Sequence, residues 1–163
     1  MSAALKDSGP KAVVTTPSDR EIRIERIVNA SRDRVWRACT EPGQLAQWWG
    51  RGNQLDIERY EFRPGGQWRF VEHSDHGVHG FSGTYREIAP LERLTITFGW
   101  DGMKGHELVE TMMFEDLGDG RTKIIAILVF DSKADRDGML QAGMESGMNE
   151  SYAALDRLLA KEA

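Results

Sequence analysis

Gly143-Met-Glu-Ser-Gly-Met-Asn-Glu-Ser-Tyr-Ala-Ala-Leu-Asp-Arg-Leu-Leu-Ala-Lys161 stands near the C-terminal end of the sequence. Within it Met144, Met148, Tyr152, Leu155 and Leu159 recur at i, i+4, i+8, i+11 and i+15. That spacing sets them on one face of an α-helix, and a face this apolar must be buried against a partner. No other helical pattern in the chain is long enough to serve. From Leu55 to Phe130 the grammar is instead one of strands and short turns. The stripe therefore predicts a long helix laid across a sheet.

Working back through that sheet, Leu55–Phe62 runs into Arg63-Pro64-Gly65-Gly66, where proline followed by glycine suits a type II turn. Gln67–His73 returns. Asp75-His76-Gly77 then reads as a three-residue loop with Gly77 left-handed, which would set His73 opposite His79. Val78–Ile88 is a long strand, Ala89-Pro90 breaks it, and Leu94–Trp100 follows. A glycine-bearing loop, Asp101–Gly105, precedes Leu108–Phe114, and Gly118-Asp119-Gly120 turns the chain into Thr122–Phe130. Nearer the N-terminus, Glu21–Asn29 alternates: Ile22, Ile24 and Val28 share one parity, Glu21, Arg23 and Glu25 the other. Arg26 interrupts the apolar parity.

Two short helices follow that first strand. Ser31 caps one, with Asp33 in its first turn and Val35, Trp36 and Cys39 facing inward. Pro42 opens the next, which places Leu45 and Trp48 on one face and ends at Gly50. Ser132, with Asp135 three residues on, resembles a capping box before the final helical region, which has a break expected near Gly138 or Gly143. The order predicts an α+β domain with a curved antiparallel sheet of six or seven strands. Its concave face is gripped by the long C-terminal helix, a helix-grip fold. The domain is expected over residues 20–163. Residues 1–19, small and polar without a sustained period, predict a flexible arm; the alternative is a strand at Ala12-Val13-Val14 ordered by a partner.

Several function classes are disfavoured. A net charge of −5 with no basic stripe argues against nucleic-acid binding. No apolar run approaches the roughly 20 residues of a membrane span, so no stable membrane association is expected. The N-terminus has no signal-peptide pattern, and with a lone Cys39 the expected compartment is a reducing cytoplasm. Phosphate-binding glycine loops, Gly-x-Ser-x-Gly elbows and His-Glu-x-x-His are absent, so no cofactor is expected. His73, His76 and His79 repeat every three residues, but a hairpin would put His76 at its tip, away from the other two; no metal centre is expected.

Four local patterns carry a family resemblance. Ile27 to Trp49, Pro64-Gly65-Gly66-Gln67-Trp68, Gly83 to Leu94, and Gly143 to Met148 followed by Tyr152, Leu155, Leu158 and Leu159 resemble the "activator of heat-shock-protein ATPase homologue" domains. The resemblance covers roughly Glu21 to Lys161. It implies the fold of the START, birch-pollen-allergen-like and polyketide cyclase (SRPBCC) superfamily, whose members include lipid carriers, cyclases and hormone receptors. Function varies too widely there for fold alone to assign it. The namesake co-chaperone has an additional N-terminal domain, for which 163 residues leave no room.

The candidate ligand-binding residues are Trp36, Trp48, Phe70, Phe98, Trp100, Met112, Phe114, Met144, Met148 and Tyr152. Each alone reads as core. Together, five tryptophans in this length and adaptable methionines on the gripping helix predict a cavity for a small hydrophobic molecule. Arg26, Glu110 and Tyr85 are the polar candidates. Arg26 reads either as a bulge or snorkelling residue at the sheet edge or as a buried cation paired with a strand carboxylate such as Glu110. His79 joins them in a second reading, a cyclase- or hydrolase-type enzyme that polarises a carbonyl; no distinctive catalytic spacing supports it. A third reading is a protein-interaction domain like the co-chaperone. Gly143, Gly147, Ser151 and Ala154 form a small-residue stripe that suits close packing, room for a ligand, or a homodimer contact.

Overall fold

The computed structural model describes residues 11–161. Among these, eight antiparallel strands form one sheet in the order β1-β2-β8-β7-β6-β5-β4-β3. They are β1 (Val13–Thr15), β2 (Glu21–Val28), β3 (Gln54–Tyr60), β4 (Gln67–Ser74), β5 (Gly77–Ala89), β6 (Arg93–Trp100), β7 (Leu108–Asp116) and β8 (Thr122–Val129). The helices are α1 (Arg32–Thr40), α2 (Pro42–Trp48), α3 (Lys133–Gln141) and α4 (Met144–Lys161). This is the α+β helix-grip architecture, with one strand more than expected. The extra strand is β1, where Val13, Val14 and Thr15 pair with Glu25, Ile24 and Arg23 in what reads from sequence as a flexible arm. The remainder of that arm, residues 1–10, lies outside the described residues.

Local chemistry explains the boundaries. Ser31 caps α1 by accepting from the Arg34 backbone N–H, and Pro42 sits in the first turn of α2. At Arg63-Pro64-Gly65-Gly66 the Gly66 N–H donates to the Arg63 carbonyl at 2.8 Å, and Gly65 has φ +83°, as a type II turn requires. Ser132 accepts from the Asp135 N–H to start α3, and Gly143, at φ +84°, separates α3 from α4.

One turn differs from expectation. Ser74 pairs with Gly77, so only Asp75 and His76 form the loop, and His73 faces Val78 while Glu72 faces His79. A one-residue difference in register exchanges faces. His73 and His79 therefore lie on opposite sides of the sheet. His73 Nε2 meets Asp56 Oδ2 at 2.7 Å, whereas the His79 ring lies beside Trp100. Among the described residues, no group of three His, Cys, Asp or Glu is placed to hold a metal.

The concave face is written in the register. Ile22, Ile24 and Arg26 stand opposite Leu128, Ala126 and Ile124, which in turn face Glu110, Met112 and Phe114. Over this face lies α4, with Leu155, Leu158 and Leu159 each 5% exposed or less. Arg26 is buried on the inward side as its parity requires, but its partner is not Glu110. Its guanidinium spans both carboxylate oxygens of Asp156 on α4, at 3.3 and 2.5 Å, and donates to the Ile27 carbonyl at 2.7 Å. Glu110 is aligned through Leu128 with Ile22, four residues from Arg26 along β2, so its row is offset by roughly 13 Å along the strands and it lies two strands across. The Arg26–Asp156 pair clamps α4 to β2 and is a structural fastening.

The small-residue stripe of α4 is also a packing device. Gly147 leaves room for the Arg51 side chain, Ser151 Oγ accepts from the Arg51 backbone N–H at 2.8 Å, and Ala154 lies against Gly52. Gly50, Arg51 and Gly52 all have φ between +63° and +77°. The left-handed path lets this loop pass close beneath the helix.

Candidate functional site

Between the sheet and the N-terminal half of α4 the side chains do not fill the space. A cavity of about 470 Å³ remains, lined in part by the α3–α4 junction, a volume suited to a small-molecule ligand. Of the sequence candidates, Trp48, Phe70, Phe98, Trp100, Met112, Met144, Met148 and Tyr152 line it, together with Tyr85 and Glu110. Trp36 and Phe114 do not. Their rings meet edge-on at 5.4 Å and belong to the solid core beside it. Arg26 lies behind the wall, its guanidinium 5.6 Å from the centre of the Tyr152 ring.

Three aromatic residues of the wall are absent from the sequence candidates. Trp68 shares the inward parity of Phe70, and Phe81 pairs with Phe70 across β4 and β5, so both were accessible to a strand-period argument. Trp49 was not, because it is the residue that caps α2 and has no periodic neighbour. Its ring stands edge-on to Phe70 and Phe81 at 5.1 and 5.2 Å and reaches Trp68 and Phe98 at 6.3 Å. Bracing of this kind holds ring faces around an empty volume.

The polar groups divide into partnered and unpartnered. Glu72, buried in the wall, accepts from Arg51 Nε at 3.0 Å and Asn53 Nδ2 at 2.8 Å, which neutralises the charge on that side of the cavity. Tyr60 donates to the Thr40 carbonyl, tying β3 to the end of α1, and burial pushes its hydroxyl up to about 12. Burial likewise raises the Tyr85 and Tyr152 hydroxyls, and it lifts the Cys39 thiol to about 12, so this thiol stays protonated. Glu110 is different. It lies on β7 between Ile96 of β6 and Leu128 of β8, and makes neither a hydrogen bond nor an ion pair with any described residue. What exposure it has is to the cavity, and desolvation lifts its carboxyl from 4.5 to about 7.

A curved antiparallel sheet that grips a C-terminal helix around an apolar cavity defines a ligand-binding helix-grip domain in the general sense. The chain belongs to the family described as Activator of Hsp90 ATPase homolog 1-like protein, whose sequence model matches residues 29–160. No match is found among curated proteins. Solved structures share the fold. A Rhodobacter sphaeroides protein is 24% identical with a TM-score of 0.83, the match covering 93% of this chain and 99% of that one. A Chromobacterium violaceum protein is 25% identical with a TM-score of 0.72, covering 85% and 96%. DynU16, a protein in the dynemicin biosynthetic locus, is 25% identical with a TM-score of 0.67, covering 88% of this chain and 48% of its own. Among the described residues, no helix is long and apolar enough to cross a membrane.

Proposed function

We propose that the protein binds a small, predominantly apolar molecule in the cavity between the sheet and α4. The observation that carries this reading is the braced void: about 470 Å³ walled by aromatic rings, with Met144 and Met148 on its helix side. Interiors are normally packed as densely as organic crystals, so a void of this size forfeits contacts that a ligand would restore. The rings around Trp49 support one another and keep the wall from collapsing inward. Methionine side chains adapt to the outline of what they meet.

The test uses the neutral fluorophore N-phenyl-1-naphthylamine, with native mass spectrometry and solvent extraction of gently purified protein. The fluorophore should brighten on binding and quench tryptophan emission. Ile96→Trp, which fills the floor beside Glu110, should abolish this while far-ultraviolet circular dichroism is retained. No binding by the wild-type chain, together with an empty extract, would overturn the reading. A bound molecule that returns chemically altered, with the change lost in Glu110→Gln, would replace it with an enzymatic one.

A further inference from the structure

We infer that the ligand carries a basic nitrogen, an apolar skeleton whose ammonium group is received by the unpaired Glu110 carboxylate at the floor of the cavity. This deepens the proposed function and rests on it. The argument begins from what surrounds Glu110. Its cross-strand neighbours Ile96 and Leu128 are apolar and line the same cavity. On its own strand the next inward residue is Met112. From α1 it faces Cys39 and from α4 Tyr152, both of which remain neutral; Tyr85 of β5 is neutral too.

The cations nearby are committed elsewhere. Arg26 is held by Asp156, and Arg51 by Glu72. His79 lies beside Trp100 in the cavity lining. A half-buried carboxyl set among apolar groups with no protein partner is stable in its ionised form only when paired. A cationic ligand would supply that partner.

Of the groups a ligand could bring, an ammonium meets the requirement best. It neutralises the carboxylate and makes a charge-assisted hydrogen bond, which a hydroxyl cannot match. An acid would add a second negative charge. Ring faces are available for the rest of the cation. Phe98 pairs with Leu108, so it stands diagonal to Glu110, and Tyr152 covers it from the helix.

The experiment compares three probes of one skeleton: 1-pyrenylmethylamine, 1-pyrenylmethanol and 1-pyrenecarboxylic acid. Binding is read by energy transfer from tryptophan at about pH 7.5, where the amine is cationic. The amine should bind about tenfold or more tightly than the alcohol, and the acid most weakly. Glu110→Gln should erase the advantage of the amine over the alcohol. Calorimetry of the wild-type protein near pH 6.5, in buffers of different ionisation enthalpy, gives a second readout that needs no variant. The amine should release a proton as Glu110 ionises, and the alcohol should not. Equal affinities for amine and alcohol, or an advantage that survives in Glu110→Gln, would overturn the inference while leaving the cavity reading intact. Failure of the amine to bind where N-phenyl-1-naphthylamine does would overturn the inference alone; failure of every probe, with an empty extract, would sink both.

Discussion

Along the C-terminal half of α4, Leu155, Leu158 and Leu159 are exposed to 5% or less, and the row beneath them runs from Arg26 through Ile124 to Phe114. Along its N-terminal half, Met144, Met148 and Tyr152 face a void, and the row beneath runs from Leu128 through Glu110 to Ile96. One helix and one sheet thus make a solid end and a hollow end. The solid end uses branched aliphatics that interdigitate, and it is fastened by the Arg26–Asp156 pair. The hollow end uses rings that lean on one another, and its charged floor residue is left open. Stability and binding are therefore assigned to different lengths of the same interface.

The largest test of this division is truncation at matched positions. Phe114→Ala and Leu155→Ala, at the solid end, should each lower unfolding free energy by about 3–5 kcal/mol, the cost of a cavity in a packed core. Met148→Ala, at the hollow end, should cost about 1 kcal/mol, because its side chain already borders empty space. Urea denaturation of the three variants measures the contrast. Similar losses at both ends would remove the distinction.

Next in size is the effect of Glu110. A carboxyl raised from 4.5 to about 7 by folding favours the native state fully below pH 4.5, and this contribution is lost as pH rises through 7. At 1.36 kcal/mol per pH unit, the ionised form costs about 3 kcal/mol. Glu110→Gln should therefore be more stable than the parent by that amount at about pH 8, and should match it near pH 4.5. Thermal melts across this range test the sign directly. An advantage that did not vary with pH would show that packing, not charge, is responsible.

How far the sequence could take this division depends on the range of the forces involved. Strand periods and turns such as Arg63-Pro64-Gly65-Gly66 are local, and they are legible because φ at one residue decides them. The Asp75-His76 hairpin was not, since two- and three-residue loops both accept a left-handed Gly77, and only pairing across β4 and β5 chooses between them. Parity correctly sent Arg26 and Glu110 inward, but it is silent about position along the strand, and roughly 13 Å separates their rows. The void itself was legible only as a surplus of aromatic residues. Whether Trp36 fills a core or walls a cavity depends on Phe62 and Phe114, which reach it from other elements.

The smallest expected effect concerns the helix at the hollow end. A Cβ added at Gly147 would lie 3.4 Å from Arg51 Cδ, an ordinary contact with the middle of a flexible side chain. Helix propensity favours alanine there by about 1 kcal/mol, so Gly147→Ala should stabilise the protein by roughly 0.5–1 kcal/mol. The same methyl group narrows the cavity where Gly147 and Arg51 both line it. Stopped-flow measurement with N-phenyl-1-naphthylamine should then show slower association at unchanged or higher thermal stability. Gly83, by contrast, has no such latitude: a Cβ there would fall 1.9 Å from the Thr97 carbonyl oxygen, and Gly83→Ala must distort β5. If Gly147→Ala instead lost stability, the loop of Arg51 would be packed against α4 more rigidly than the hollow end requires. The division between a fastened half and an open half would then need to move toward the N-terminus of the helix.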